Sequence, residues 1–339
     1  MRKFVCLILV LALAVPLVFA GGAKQAKRKI VIYTSMYEDV IDAIKNDLGR
    51  QFPAYNIDFI YGGTGTLQAR VAAEKSSGRL GCDILLVAEP SYSLELKENG
   101  MLHSYGSAHA SSLAFDYDSG GFWYPVRISN MVLAYNPERN AINTIPNSFR
   151  DFAYSAGVRG AVSMSNPLIS GTAMATVSAL RDKYGFEYFE ALGRQNVMID
   201  TGSVALAKLE SGECKVAMIL EELVLKKREE EQSRLEVIYP SDGTVMIPST
   251  IMIINNRWSA NRNTQAAEVI ADWFLSVEGQ SAIVAGWMHS VRTDFPRLPF
   301  DAMSTGEIRE NSIPVNWEYC FRQGDEIQAS FEEHVTHRR

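Results

Sequence analysis

Three short segments of the sequence combine glycine with hydroxyl side chains in a way that suits the capture of an anion. Gly63-Thr64-Gly65-Thr66, Ser170-Gly171-Thr172 and Gly202-Ser203 each stand where a helical pattern begins or is about to begin. The first turn of a helix leaves backbone N–H groups without partners and carries the positive end of the helix dipole. A phosphate, phosphonate or carboxylate can be held there, with Ser and Thr hydroxyls as further donors. The same residue types also serve as N-caps, each worth about 1 kcal/mol, and for any one segment alone the two readings carry equal weight. Arg127, behind Trp123 and Tyr124, offers a guanidinium either to an anion or to a salt bridge across the molecule. Glu221 and Glu222 follow a strand-like run, where a carboxylate can accept from sugar hydroxyls or pair with an amine. If strand alternation continued through them, only one would face a given side. Ser35, Tyr37, Glu89 and the Trp123 indole are candidates for the walls of a site, although aromatic side chains in such places also simply pack. Asp242 and Thr244 either read a polar ligand or shape a turn.

Other chemistries lack their residues. No Gly-x-Ser-x-Gly elbow is present, and no histidine can be singled out as a base, which argues against a secreted hydrolase. The five histidines show no paired i,i+4 arrangement among carboxylates, and Cys82, Cys214 and Cys320 lack metal spacing, so neither a metal site nor a cofactor is expected. With 33 Lys and Arg against 39 Asp and Glu and a formal charge of −6, there is no clustered basic surface for a nucleic acid.

These residues need a scaffold, and the chain alternates strand and helix patterns. Arg2 and Lys3 precede an apolar run from Phe4 to Ala20 that ends in the small-residue pattern Val18-Phe19-Ala20. The run is short of the ~20 residues that span a bilayer and carries a cleavage pattern, so it is taken as a signal peptide, removed near Ala20. Its removal leaves 319 residues and, because Arg2 and Lys3 leave with it, a formal charge of −8. Gly21 stands where a lipid anchor would need cysteine. Lys24, Lys27, Arg28 and Lys29 form a short solvated tether. In the oxidising compartment this implies, three remaining cysteines allow one disulfide, or three buried thiols.

Lys29–Thr34, Asn56–Tyr61 and Cys82–Val87 have the apolar content of buried strands, with helices at Tyr37–Phe52 and from about Leu67 to Ser77 between them. After a long strand-rich segment, Phe122–Tyr135, the pattern repeats: a helix near Ser148–Tyr154, strand Ala161–Met164, helix Thr172–Tyr184, helix Gly202–Glu210 and strand Lys215–Leu220. In the next helix Lys226 faces Glu230 and Lys227 faces Glu231 at i,i+4, the signature of a solvated face. A second long extended segment, Val245–Asn255, precedes a helix at Thr264–Ser276. Strands alternating with helices specify α/β lobes, and two long strands joining two such lobes make a hinge that can close around a ligand.

Taken in order, KIVIYTS ending at Ser35, Gly62–Thr66, Asp83-Ile84-Leu85-Leu86, NPLISGT (166–172), Gly202-Ser203-Val204-Ala205-Leu206, YPSDGT (239–244) and FLSVEGQ (274–280) carry a resemblance. The sequence resembles the extracellular solute-binding proteins of bacterial ABC importers, in the branch of ferric-iron, thiamine, phosphonate and sugar-phosphate binders. The resemblance implies an α/β fold of two lobes, a periplasmic binding protein with crossing hinge strands and an interlobe ligand cleft. Lobe 1 would hold 29–135 plus 250–290, and lobe 2 would hold 136–249 plus 291–339. It also implies a monomer in the periplasm, without enzymatic activity, that delivers its solute to a permease in the inner membrane. The iron binders of that branch use adjacent tyrosines after the strand matching Lys215–Leu220, where this chain has Glu221-Glu222, and Tyr37 stands near where they carry a histidine. The expected ligand is therefore a small anionic organic solute of sugar-phosphate or phosphonate type. Ser35, Tyr37, Thr64, Gly65, Thr66, Glu89, Arg127, Ser170, Gly171, Thr172, Gly202, Ser203, Glu221 and Glu222 are the expected contacts, and ferric iron or a metal complex is the alternative. A receptor could use the same closure in place of a permease.

Overall fold

The structure, a computed structural model, describes residues 28–295, 297–298 and 302–337. The signal-peptide reading of Met1–Ala20, together with Lys24 and Lys27 of the tether, lies outside the described residues. Among those described, no helix is long and apolar enough to cross a membrane.

The chain opens with strand β1 (Arg28–Thr34), helix α1 (Glu38–Gln51), β2 (Tyr55–Tyr61), α2 (Thr64–Ser76), β3 (Ile84–Ala88) and α3 (Ser91–Glu98). A short β4 (Leu102–His103) precedes the long β5 (Trp123–Tyr135). Then come α4 (Phe149–Tyr154), β6 (Val162–Ser165), α5 (Gly171–Tyr184), α6 (Glu187–Arg194), β7 (Met198–Asp200) and α7 (Gly202–Ser211). They are followed by β8 (Val216–Leu220), α8 (Glu221–Glu231), β9 (Glu236–Ile238) and the long β10 (Val245–Ile254). Helices α9 (Thr264–Leu275), α10 (Val277–Ala285), α11 (Thr305–Glu310) and α12 (Trp317–Phe331) complete it.

The strands form one sheet in the order β2-β1-β3-β10-β5-β8-β6-β7, with β4 on β10 and β9 on β5. Each outer trio is internally parallel, and the trios are joined through the antiparallel pair β10 and β5. Parallel strands covered on both faces must be apolar throughout, which is why β3 and β8 are buried at every position.

The two long strands pass from one apolar core to another. Tyr124, Val126 and Ile128 of β5 pack with α1, α9 and α10, whereas Met131, Leu133 and Tyr135 pack with α4, α5 and α6. On β10, Ile251 and Ile253 belong to the first core and Val245 and Ile247 to the second. Between the cores lie Ser129, Asn130, Ser249 and Thr250, all fully buried. The register of β5 on β10 shifts between Ser249 and Thr250, beside Pro125 and Pro248. Proline cannot donate to the ladder, so a bulge forms where the two strands cross, and a bulge redirects nearby side chains. Farther along the chain, Ile308 of α11 packs in the first core, and Ile327 and Phe331 of α12 pack in the second.

Most element ends fall within two residues of the expected ones. Helix α2 is the exception, beginning at Thr64 and not near Leu67. The three described cysteines are free and buried. On α8, Lys226 does pair with Glu230 at 3.7 Å, and it also pairs with Asp39 of α1.

Candidate functional site: a cleft over the crossing strands

A cleft of about 370 Å³ opens at the carboxyl ends of the parallel strands, where open α/β sheets place their ligands. Ser35 and Tyr37 enter it from the end of β1, Tyr61 from the end of β2, and Thr64 and Thr66 from the start of α2. The opposite wall is Ser170, Gly171 and Thr172 at the start of α5, then Gly202 and Ser203 at the start of α7. Arg127 is at the floor, contributed by the crossing strand β5.

Arg127 is 3% exposed. Its Nε donates to Ser249 Oγ at 2.9 Å, directly across the bulge, while one terminal N–H points to Met288 Sδ at 2.7 Å and the other toward the Ser35 carbonyl at 3.5 Å. It forms no ion pair with any of the described residues. Burial lowers its pKa, and the nearby charge of Glu222 and the phenols of Tyr37 and Tyr61 act against that shift. A buried guanidinium held by neutral atoms keeps its charge available for an anion.

The helix starts combine the two roles that the residue types allow. Ser170 caps α5, accepting from the Ala173 N–H at 3.2 Å, and lies 3.0 Å from Thr172 Oγ1. Thr201, one residue ahead of the expected Gly202-Ser203, caps α7. Helix α2 has Gly63 at its N-cap and no side-chain cap. Its Gly65 N–H instead crosses the cleft rim to the Ile169 carbonyl at 3.2 Å. This approach requires glycine: a Cβ on Gly65 would sit 2.5 Å from the Leu168 carbonyl oxygen, and one on Gly171 2.7 Å from Thr64 Oγ1.

The family described as bacterial extracellular solute-binding protein matches residues 82–320. The chain belongs to that family. Solved structures share the periplasmic binding protein fold. The periplasmic binding protein AfuA from Actinobacillus pleuropneumoniae, with fructose-6-phosphate bound, is 20% identical over 91% of this chain and 99% of its own, with a TM-score of 0.78. Iron-bound HitA from Pseudomonas aeruginosa is 18% identical over 90% and 99%, also with a TM-score of 0.78. A periplasmic thiamin binding protein is 14% identical over 91% and 96%, with a TM-score of 0.74. No curated protein matches by sequence. The protein is thus an ABC-type solute-binding protein, in a family that binds and does not transform its ligand.

Not every expected contact of this solute-binding protein lines the cleft. Glu221 and Glu222 do not, and the premise of strand alternation fails for them, because β8 ends at Leu220 and both belong to the first turn of α8. Glu221, 1% exposed, accepts from Asn130 Nδ2 at 2.9 Å and from the Tyr239 hydroxyl, and lies 3.0 Å from His289 Nε2. It ties the middle of β5 to three other segments. Glu222, 3% exposed, accepts from Ser129 Oγ at 2.7 Å and lies in the electrostatic reach of Arg127 and Tyr37. Burial pushes its carboxyl up, opposed chiefly by Arg127.

Glu89 and Gly65 line a second cavity of about 390 Å³, on the other side of the contact between α2 and residues 166–171. Glu89 has a left-handed backbone, φ 69°, and accepts from the Ser91 N–H at 2.9 Å at the start of α3. Burial raises its carboxyl to about 7. Trp123 packs in an apolar cluster with Leu85 and Val87, away from the cleft. Asp242 shapes structure: it accepts from the Phe149 and Arg150 N–H groups at the start of α4 and from the Tyr184 hydroxyl at 2.6 Å. Thr244 is buried outside the cleft.

Tyr61, Ser165, Asn166, Asp200 and Thr201 line the cleft without having been expected there. Thr201 had a readable signal, since Ser or Thr immediately before a helical pattern marks an N-cap. Asp200 is engaged, accepting from Ser163 Oγ at 2.7 Å and Lys208 Nζ at 3.1 Å. Among the described residues no group of three or more His, Cys, Asp or Glu is placed to hold a metal ion.

Proposed function

We propose that this solute-binding protein captures a small anionic organic solute, of sugar-phosphate or phosphonate type, in the cleft over Arg127. The observation that carries the reading is the buried Arg127 guanidinium, which opens into the cleft without an ion-pair partner among the described residues. The starts of α2, α5 and α7 surround the same space and add N–H and hydroxyl donors. In this reading the two apolar cores are two lobes hinged on β5 and β10, and the expected division is corrected at its end: Val291 and Ile308 pack with the first lobe, whereas Ile313, Ile327 and Phe331 pack with the second. The ligand closes them, and the closed monomer, in the periplasm, is presented to an ABC permease.

Thermal-shift titration with fructose 6-phosphate, methylphosphonate, thiamine and ferric citrate tests it. Stabilisation that grows with the concentration of a phosphorylated or phosphonate compound is expected. A response to ferric citrate alone, with none to any phosphorus compound, overturns the reading in favour of iron. The double substitution Ser170→Ala with Thr172→Ala should weaken the anion; unchanged affinity removes the start of α5 from the site.

A further inference from the structure

The two adjacent glutamates that begin α8 have different surroundings. Both oxygens of Glu221 are occupied, by Asn130, the Tyr239 hydroxyl and His289, whose other ring nitrogen lies 2.9 Å from Thr305 Oγ1. Glu222 has one side-chain donor, Ser129 Oγ at 2.7 Å, two residues along β5 from Arg127, and so lies behind the cleft floor near the cation that faces the ligand. We propose that Glu222 is the proton acceptor of the binding site, so that an anion engaging Arg127 is taken up together with a proton on the Glu222 carboxylate. The inference rests on the anion reading above.

The charged and titratable groups around Glu222 are few. From β5 comes Arg127, from the segment after β1 comes Tyr37, and on α8 itself Glu221 precedes it; Tyr61 of β2 acts on Arg127 and Tyr37. Lys226, one turn along α8, is directed to Asp39 and Glu230. His289 and Tyr239 reach Glu221. Arg127 is therefore the cation that supports an ionised Glu222, and it is also the cation an entering anion would engage. Two negative charges sharing one buried cation cannot both be compensated, and the one with a protonation option takes it. Tyr37 supplies no negative charge in exchange, because burial raises its phenol further above neutrality. Glu222 thereby favours ligands that bring their own charge: a neutral solute would leave Glu222 in the field of Arg127 and gain nothing from either.

Calorimetric titration of the wild-type protein with sulfate and with fructose 6-phosphate, in two buffers of different ionisation enthalpy between pH 5.5 and 8.5, reads the proton directly. Sulfate does not titrate in this range, so any proton it brings belongs to the protein. Uptake of up to one proton is expected, with affinity falling by up to about tenfold per pH unit where uptake is complete. Glu222→Gln should bind without proton uptake and with affinity nearly independent of pH. Ser129→Ala, which removes a donor to the carboxylate, should move the uptake to higher pH. Arg127-dependent binding without proton exchange, or uptake unchanged in both variants, overturns this inference and leaves the anion reading standing. No binding of either anion, or equal binding by Arg127→Ala, overturns the anion reading and this inference with it.

Discussion

The two parallel trios of the sheet deliver their residues to the cleft in the same way, from the carboxyl ends of strands, yet they finish their helix starts differently. In the trio β8-β6-β7, α5 and α7 are closed by their own hydroxyls, Ser170 and Thr201, so that side of the cleft is organised by local hydrogen bonds. In β2-β1-β3, α2 has a glycine cap, and its Gly65 N–H is satisfied by the carbonyl of Ile169 on the other side. One wall is complete alone; the other is completed by contact between walls. Arg127 belongs to neither trio, since it comes from β5, one of the two strands that join them.

The largest effect is expected at Arg127. Arg127→Ala should weaken a bound anion at least about thirtyfold, or ~2 kcal/mol, because it removes the charged partner in a desolvated site. An affinity within threefold of wild type, by calorimetry, would show that the walls bind without the floor.

Glu89, behind the contact, should make stability depend on pH. In the unfolded chain its carboxyl titrates near 4.5, and in the native protein near 7, so the native state holds the extra proton. Its contribution is fully present below pH 4.5 and is lost as pH rises through 7, a decline of about 3 kcal/mol. Glu89→Gln, which keeps an acceptor for Ser91, should remove that decline in urea unfolding at pH 5 and pH 8. An unchanged difference between the two pH values would refute the assignment.

Gly65→Ala should weaken ligand affinity several-fold while shifting the unfolding midpoint little, because in the proposed closure the Cβ strikes the Leu168 carbonyl as the walls meet. Equal losses in stability and affinity would mean that the contact is part of the permanent fold. The smallest effect is at the locally completed wall: Ser170→Ala should cost about 1 kcal/mol of stability as a lost cap. A loss below 0.3 kcal/mol, roughly, would indicate that another group caps α5.

Much of this was legible in the sequence. Continuous apolar runs placed the strands and period-3.6 patterns the helices, because burial on both faces of a sheet or under a helix dictates them, whereas the bulge beside Arg127 was not anticipated. The glycine and hydroxyl segments marked helix starts for the same chemical reasons that bring them to the cleft. The early start of α2 was not legible, since a run of three glycines in five residues disfavours helix until a carbonyl from residue 169 satisfies it. Nor was the separation of Glu221 from Glu222. It depends on Asn130, Tyr239 and His289, which are distant in sequence and meet only in the fold.

The glycine contact between α2 and residues 166–171 uses only atoms of the protein itself. In the closure proposed above, part of the free energy of the shut conformation is therefore available before any solute arrives, and some fraction of empty molecules should be shut. The apparent affinity of every solute is scaled by the population of the competent state. A change at Gly65 would thus rescale all solutes by one common factor and leave the order of preference among them untouched, whereas a change at Arg127 or Glu222 would rearrange that order.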